Sequence, residues 1–182
     1  MEPLTNIDIR KLPWPHIVAP NFLPKDLFEN INSAIPNKEQ TSTEENCIKY
    51  NMMYQTDPAF LDVLEMLADP QLISALYDQF DITPPPRAKM QSCRLVHAEP
   101  GFGLNAHTDL KDKPCINLQI YLSENEKYET VRVHNLQVGS TMTTEVPCQP
   151  NLMWAFVTSE NTWHTLPITK TKRVSLLCKY GE

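Results

Sequence analysis

Apolar positions follow two different periods along this chain, and the change of period falls near residue 87. From Lys25 to about Ile35, the residues Leu27, Phe28, Ile31 and Ile35 recur at three- and four-residue spacing, which predicts a helix opened by Pro24-Lys25-Asp26. From Pro58 to about Phe80 the same spacing returns in Phe60, Leu61, Leu64, Leu67, Leu72, Ile73, Leu76 and Tyr77. The Asp69-Pro70 step inside that run predicts a break into two helices, because the residue before a proline is pushed out of the helical region. Residues 13–24 predict a short strand bounded by prolines, 47–54 a second strand, and the polar run 36–46 a loop. The stiff segment Asp81-Ile82-Thr83-Pro84-Pro85-Pro86-Arg87 closes this first portion.

Beyond Arg87 the period becomes two. Segments 89–97, 115–122, 129–135, 139–146, 150–157, 161–167 and 172–180 all read as short strands separated by turn signals. That spacing predicts an antiparallel sandwich or barrel. The chain is therefore expected to be mainly β (α+β) and to form a single domain over 1–182. Residues 1–86 supply a strand and helical support, and 87–182 supply the β core.

Parity along two strands adds detail. Ile116, Leu118, Ile120 and Leu122 alternate with Asn117, Gln119 and Tyr121; Val174, Leu176 and Cys178 alternate with Arg173, Ser175 and Leu177. Such alternation arises when one face of a sheet meets a core and the other meets water. A second arrangement gives the same pattern: the apolar faces pack on the N-terminal helices and the polar faces line an interior pocket. The need of the helices for a sheet to cover favours the second.

Composition narrows the class. A net charge of −6 argues against broad contact with nucleic-acid phosphates. The five cysteines are odd in number and widely spaced, with no Cys-x-x-Cys, which fits reduced thiols in the cytoplasm rather than a disulfide framework or a zinc knuckle. No apolar run has transmembrane length and the first fifteen residues lack a signal-type core, so a soluble intracellular protein is expected. Sixteen prolines against four glycines suit an all-β core better than a parallel α/β sheet with glycine-rich loops.

The candidate chemistry lies in the β-rich part. His107 and Asp109 are two apart, so on a strand they share a face. They follow a strand and the turn Glu99-Pro100-Gly101-Phe102-Gly103, which would place them at the mouth of a barrel. With His164 they would complete a set of two histidines and one carboxylate, the donor set that holds non-heme Fe(II) on one face and leaves open positions. Arg173 and Ser175 share a strand face after His164. An arginine offers two parallel donors to a carboxylate, and the serine hydroxyl can add a third, so the pair is a candidate grip for an anionic co-substrate. A 2-oxo diacid suits this arrangement, with one end at the metal and the other on the arginine.

The order His107-Thr108-Asp109, then His164, then Arg173-Val174-Ser175 resembles the Fe(II)/2-oxoglutarate-dependent dioxygenases, in particular the prolyl-hydroxylase-like branch. The likeness covers roughly 87–180, with a weaker echo in 15–24. It implies a double-stranded β-helix (jelly-roll) core backed by N-terminal helices. It also implies iron on His107, Asp109 and His164, and the distal carboxylate of 2-oxoglutarate on Arg173 and Ser175. Tyr121 matches a tyrosine that often helps hold that carboxylate, and Asn117 or Gln119 would touch the co-substrate from the same strand face. The implied activity is hydroxylation of a peptidyl residue, amino acid or small metabolite, with succinate and carbon dioxide released and ascorbate as the reductant in an assay.

The chain departs from the family pattern in two places. The Gly-Gly that often precedes the strand after the Tyr121 strand is replaced by Lys127-Tyr128-Glu129-Thr130-Val131, which bears on the substrate-side rim. Lys179 stands where nucleic-acid demethylases usually carry a second arginine, which argues against that substrate class. Asp109 is present where halogenases of this fold lack a carboxylate, which favours hydroxylation. The alternative is a non-catalytic jelly-roll module in which the same residues hold a structural ion or a ligand. Arg94 and Trp163 are candidate substrate contacts, Trp163 as a ring that could stack on His164. His97 is the runner-up metal ligand, and His16 and His134 are read as surface or hydrogen-bonded histidines. Substrate recognition is expected in the loops 36–58, 98–106 and 123–130.

Overall fold

The computed structural model describes residues 4, 7–35, 47–54, 56–110, 112–122, 129–135 and 143–182. The predicted loop 36–46 and most of 123–130 lie outside these, as do residues 139–142 of one predicted strand.

Proline and aspartate punctuate the helices as their chemistry requires. The first helix, α1, spans Lys25–Ala34 and α2 spans Pro58–Ala68; α3 spans Pro70–Gln79. Asp57 caps α2, its carboxylate accepting from the Ala59 amide at 2.9 Å, and Pro58 fills a first-turn position where no amide is needed. Asp69 ends α2 and starts α3, accepting from the Gln71 amide at 2.8 Å ahead of Pro70. The break expected at Asp69-Pro70 is therefore a cap shared by two helices. Among the described residues no helix is long and apolar enough to cross a membrane.

The strands are β1 (Asp8–Arg10), β2 (His16–Ala19), β3 (Cys47–Asn51), β4 (Lys89–Ala98), β5 (Leu104–His107), β6 (Ile116–Tyr121), β7 (Thr130–His134), β8 (Thr143–Pro147), β9 (Met153–Val157), β10 (His164–Leu166) and β11 (Arg173–Gly181). They form a larger sheet in the order β1-β2-β9-β6-β11-β4-β3 and a smaller one in the order β5-β10-β7-β8, with antiparallel pairing in both. Three strands that precede residue 87 join the larger sheet, so the first portion contributes to the β core as well as supporting it.

Two strand boundaries differ from expectation for local reasons. The segment predicted as a strand from residue 150 begins pairing at Met153, because Asn151 adopts a left-handed φ of 56°. Its side chain accepts from the Leu23 amide and donates to the Leu23 carbonyl, both at 2.8 Å, which ties the turn to the start of α1. The 47–54 strand stops at Asn51 and gives way to one 3-10 turn over Met52–Tyr54. The short polar strand β1 carries no apolar alternation and was not predicted.

The parity reading is resolved by two cores. Leu95, Leu118, Ile120 and Leu176 on the larger sheet pack with Ile31, Phe60, Val63, Leu67, Leu72 and Leu76 of the helices. On the other face, Val18, Tyr121, Trp154 and Phe156 meet Val131, Val133 and Leu166 of the smaller sheet. The apolar strand faces thus cover the helices, and the polar faces look into the space between the sheets. His97 shares the helix-side parity with Leu95. Its ring stands edge-on to Tyr50 at 5.3 Å, so it cannot reach the space where His107 lies.

Candidate metal centre and co-substrate cavity

The approach to the site is set by a turn. Pro100 and Gly101 occupy its central positions, Gly101 has φ 94°, and the Phe102 amide donates to the Glu99 carbonyl at 3.0 Å. That positive φ is the reason for glycine there, and proline presets the residue before it. The turn is tied to the far side of the mouth by the Gly101 amide on the Thr169 carbonyl at 2.9 Å and the Thr169 amide on the Phe102 carbonyl at 2.7 Å.

From this turn β5 runs to His107, which sits directly opposite His164 of β10. Cross-strand register therefore brings together two histidines separated by 57 positions, with ring centroids 4.4 Å apart. Asp109 lies just beyond the end of β5 rather than within the strand, which corrects the expectation that both side chains stand on one strand face. It still reaches the pair. Its carboxylate lies 3.8 Å from His107 Nε2 and 3.6 Å from His164 Nε2, and the three ligand atoms fall within 4.8 Å of one another.

The surroundings orient each member. Nδ1 of His107 meets the Asn105 carbonyl at 2.7 Å, and Nδ1 of His164 meets the Thr162 carbonyl at 3.1 Å. A carbonyl only accepts, so Nδ1 carries the proton in both rings and Nε2 presents its lone pair toward Asp109. Asn117 Nδ2 donates to the Asp109 carboxylate at 2.5 Å. Burial lowers the pKa of His164, against the opposing pull of the Asp109 charge, which favours the neutral, metal-binding form of the ring. Phe156 and Trp154 stand edge-on to His164 at 5.2 and 5.8 Å and fix its tilt. These are the rings against the histidine; Trp163 beside it in sequence supplies a backbone carbonyl to the Trp14 indole instead. Two imidazole nitrogens and one carboxylate, already oriented and still unsaturated, fit a divalent first-row metal.

The cluster borders a cavity of about 270 Å³ between the sheets, whose wall includes Asn117, Gln119 and Arg173. Arg173 is buried on β11, with the Cys148 sulfur 4.0 Å from Nη1. Among the described residues no carboxylate lies within ion-pair reach of it. Burial raises the Cys148 thiol, although Arg173 pulls the other way, and burial holds the Tyr121 phenol well above its usual range. Neither group supplies the guanidinium with a counter-charge near neutral pH. A buried cation in that state is costly, and an anion entering the cavity relieves the cost.

The neighbours of Arg173 are arranged as donors. Tyr121 lies directly opposite Ser175 in the strand register, and its buried hydroxyl has no hydrogen-bond partner among the described residues. Gln119 accepts from the Trp154 indole at 3.1 Å and donates to Ser175 Oγ at 2.8 Å. Because Ser175 accepts there, its own proton is left for another acceptor.

Three comparisons bear on this arrangement. No protein-family model matches the chain, and no curated protein matches it. Solved structures do. A prolyl-4-hydroxylase from Pseudomonas putida superimposes with a TM-score of 0.68 at 16% identity, covering 92% of each chain. HygX from Streptomyces hygroscopicus, solved with nickel and 2-oxoglutarate bound, gives 0.64 at 12% identity over 91% of this chain and 82% of its own. A prolyl hydroxylase from Trichoplax adhaerens, in complex with a peptide fragment of the hypoxia inducible factor oxygen degradation domain, gives 0.62 at 10% identity over 91% and 83%. The chain has the prolyl-hydroxylase fold.

Of the candidates read from sequence, His107, Asp109 and His164 converge, and Arg173, Asn117, Gln119 and Arg94 line the same cavity. Ser175 and Tyr121 are buried on the same sheet face beside Arg173. Trp163 is not among the lining residues, and His97 lies on the other face of the sheet. Sequence reasoning missed Lys49 and Phe156 as lining residues. Lys49 had a usable signal, since it shares the parity of the other cavity-facing strand positions once β3 is paired with β4. Cys148 beside Arg173 had none, because it lies past the end of β8.

Proposed function

We propose that the protein is an Fe(II)- and 2-oxoglutarate-dependent dioxygenase, with a double-stranded β-helix (jelly-roll) core formed by the two sheets and backed by the N-terminal helices. The observation that carries this reading is the coincidence of two features in one cavity. A two-histidine, one-carboxylate cluster stands at one part of its wall, and a buried arginine with no carboxylate partner among the described residues stands at another. A mere metal clip has no need of the arginine.

In this reading His107, Asp109 and His164 hold the iron. Arg173 binds the distal carboxylate of 2-oxoglutarate through parallel N–H donors, and Tyr121 and Ser175 add hydroxyl donors to the same group. Asn117 keeps the Asp109 carboxylate aimed, and Gln119 sets the direction of the Ser175 proton. The apolar residues between the sheets exclude water. The bound iron would supply oxygen activation, so that 2-oxoglutarate, dioxygen and a substrate C–H bond yield succinate, carbon dioxide and the hydroxylated product. The substrate is a peptidyl residue, an amino acid or a small metabolite. The peptide seen on the Trichoplax adhaerens enzyme supports keeping peptidyl residues in that set. All five cysteines are free thiols, in keeping with a reducing intracellular compartment.

The test is succinate release from 2-oxoglutarate by purified protein with Fe(II) and ascorbate in air. Slow uncoupled release without added substrate is expected, with 2-oxoglutarate binding visible by calorimetry. Absence of both would leave the non-catalytic module as the better account.

A further inference from the structure

The cavity carries a row of cations along its larger-sheet wall. Lys49 on β3, Arg94 on β4 and Lys179 on β11 all line it. Arg94 lies opposite Asn51 on one side and Leu177 on the other. Lys49 and Lys179 are each two residues from those partners, so the three cations run diagonally across three adjacent strands on one face. Side chains of this length meet across such diagonals, and like charges there repel. The chain as a whole carries a net charge of −6, yet Asp109 is the one carboxylate among the described lining residues, and it belongs to the metal cluster. Among the described residues no carboxylate lies within ion-pair distance of Arg94 or Lys179. Arg173 stands six positions before Lys179 on the same strand, about 20 Å away along it. Lys49 is level with Ser175, because both pair with Val96, so it is Arg94 and Lys179 that stand clear of the proposed grip on the distal carboxylate.

The opposite wall is apolar. Phe102 and Leu104 line the cavity from the turn and β5, and Leu104 is 43% exposed at its mouth. A ligand spanning the two walls presents acid to one side and hydrocarbon to the other. The cations are spread along a diagonal rather than gathered round a point, which suits carboxylate better than a compact polyanion.

We propose that the substrate hydroxylated here is a carboxylate-bearing molecule, its acid group docked on Arg94 and Lys179 and its apolar part against Phe102 and Leu104. This rests on the dioxygenase reading of the cavity. The acid belongs either to a free metabolite or to an acidic side chain of a peptide, and the two sources are separated by experiment.

Protein loaded with Zn(II) and saturated with 2-oxoglutarate is titrated by calorimetry with N-acetyl-aspartate and with a capped leucyl-aspartyl-leucine tripeptide. Each is paired with its uncharged counterpart, N-acetyl-asparaginamide for the first and the capped leucyl-asparaginyl-leucine peptide for the second. At least one acid is expected to bind tenfold or more tightly than its amide. That preference should shrink when salt is raised about tenfold, and it should vanish or invert in Arg94→Glu, a change at an exposed position. A preference confined to the tripeptide assigns an acidic peptide, and one shared with N-acetyl-aspartate assigns a small acid. Equal affinity for acid and amide in both pairs, or no binding of either acid, overturns the inference. Failure of 2-oxoglutarate itself to bind the Zn(II) protein is a different result, and overturns the dioxygenase reading beneath it.

Discussion

His97 gives the fold a pH dependence that can be worked out before it is measured. The side chain is fully buried, neither ring nitrogen has a hydrogen-bond partner among the described residues, and Tyr50 covers one edge. Burial, reinforced by the positive charge of Lys172, lowers its pKa from 6.5 to about 4. A histidine whose folded pKa lies below its unfolded value is held neutral by the fold. As pH falls, the unfolded chain takes up the proton first, so stability is fully present above the unfolded value and drains away between 6.5 and 4. For that shift the loss accumulated by pH 5 is about 2 kcal/mol, most of what this one group can contribute. Urea unfolding of wild type and His97→Leu at pH 7.5 and pH 5 isolates it from the other histidines. Leucine has similar bulk and no polar atom to leave unpaired, so the variant should match or exceed wild type at pH 7.5. Its loss on going to pH 5 should be smaller than that of wild type by about 2 kcal/mol. Equal losses in the two proteins, or a His97 NMR titration centred near 6.5, would refute the reasoning.

Three other substitutions probe the cavity. Arg173→Ala removes a charge-assisted pair worth about 3 kcal/mol, so calorimetry should show the Kd for 2-oxoglutarate rising by about a hundredfold; a change under about threefold would remove Arg173 from that role. Tyr121→Phe deletes a hydroxyl that has no hydrogen-bond partner among the described residues, so thermal unfolding of the ligand-free protein should be unchanged or slightly improved, while 2-oxoglutarate binding weakens by about tenfold. Asn117→Leu frees the Asp109 carboxylate, and competition with a chelator should show divalent-metal affinity falling by about 10- to 100-fold with the fold intact.

What the sequence made legible follows from period. Helical spacing around Ile31, Leu67 and Leu76, and strand alternation through Leu118 and Leu176, located both the elements and the faces they bury. Those signals are local, and burial enforces them residue by residue. The His107–His164 convergence was legible only as a donor set, because the register that places them opposite each other depends on pairing between distant strands. Asp109 shows the limit of the local argument: the strand ends at His107, and it is the Asn117 amide from β6 that brings the carboxylate into line. The same holds for His97 and Arg94, which lie three apart on one strand and so fall on opposite faces. That parity is readable in the sequence, but which face holds the cavity depends on the pairing of β4 with β11. Trp163 stood next to a ligand in sequence, while the rings that pack on that ligand came from β9.

The most direct test of the account is a crystal soaked anaerobically with Mn(II) and 2-oxoglutarate and measured at the manganese edge. One anomalous peak is predicted, at about 2.0–2.3 Å from Nε2 of His107, Nε2 of His164 and a carboxylate oxygen of Asp109. The distal carboxylate of 2-oxoglutarate should lie on the Arg173 guanidinium. A peak elsewhere, or 2-oxoglutarate bound at the metal with its far end turned away from Arg173, would contradict it.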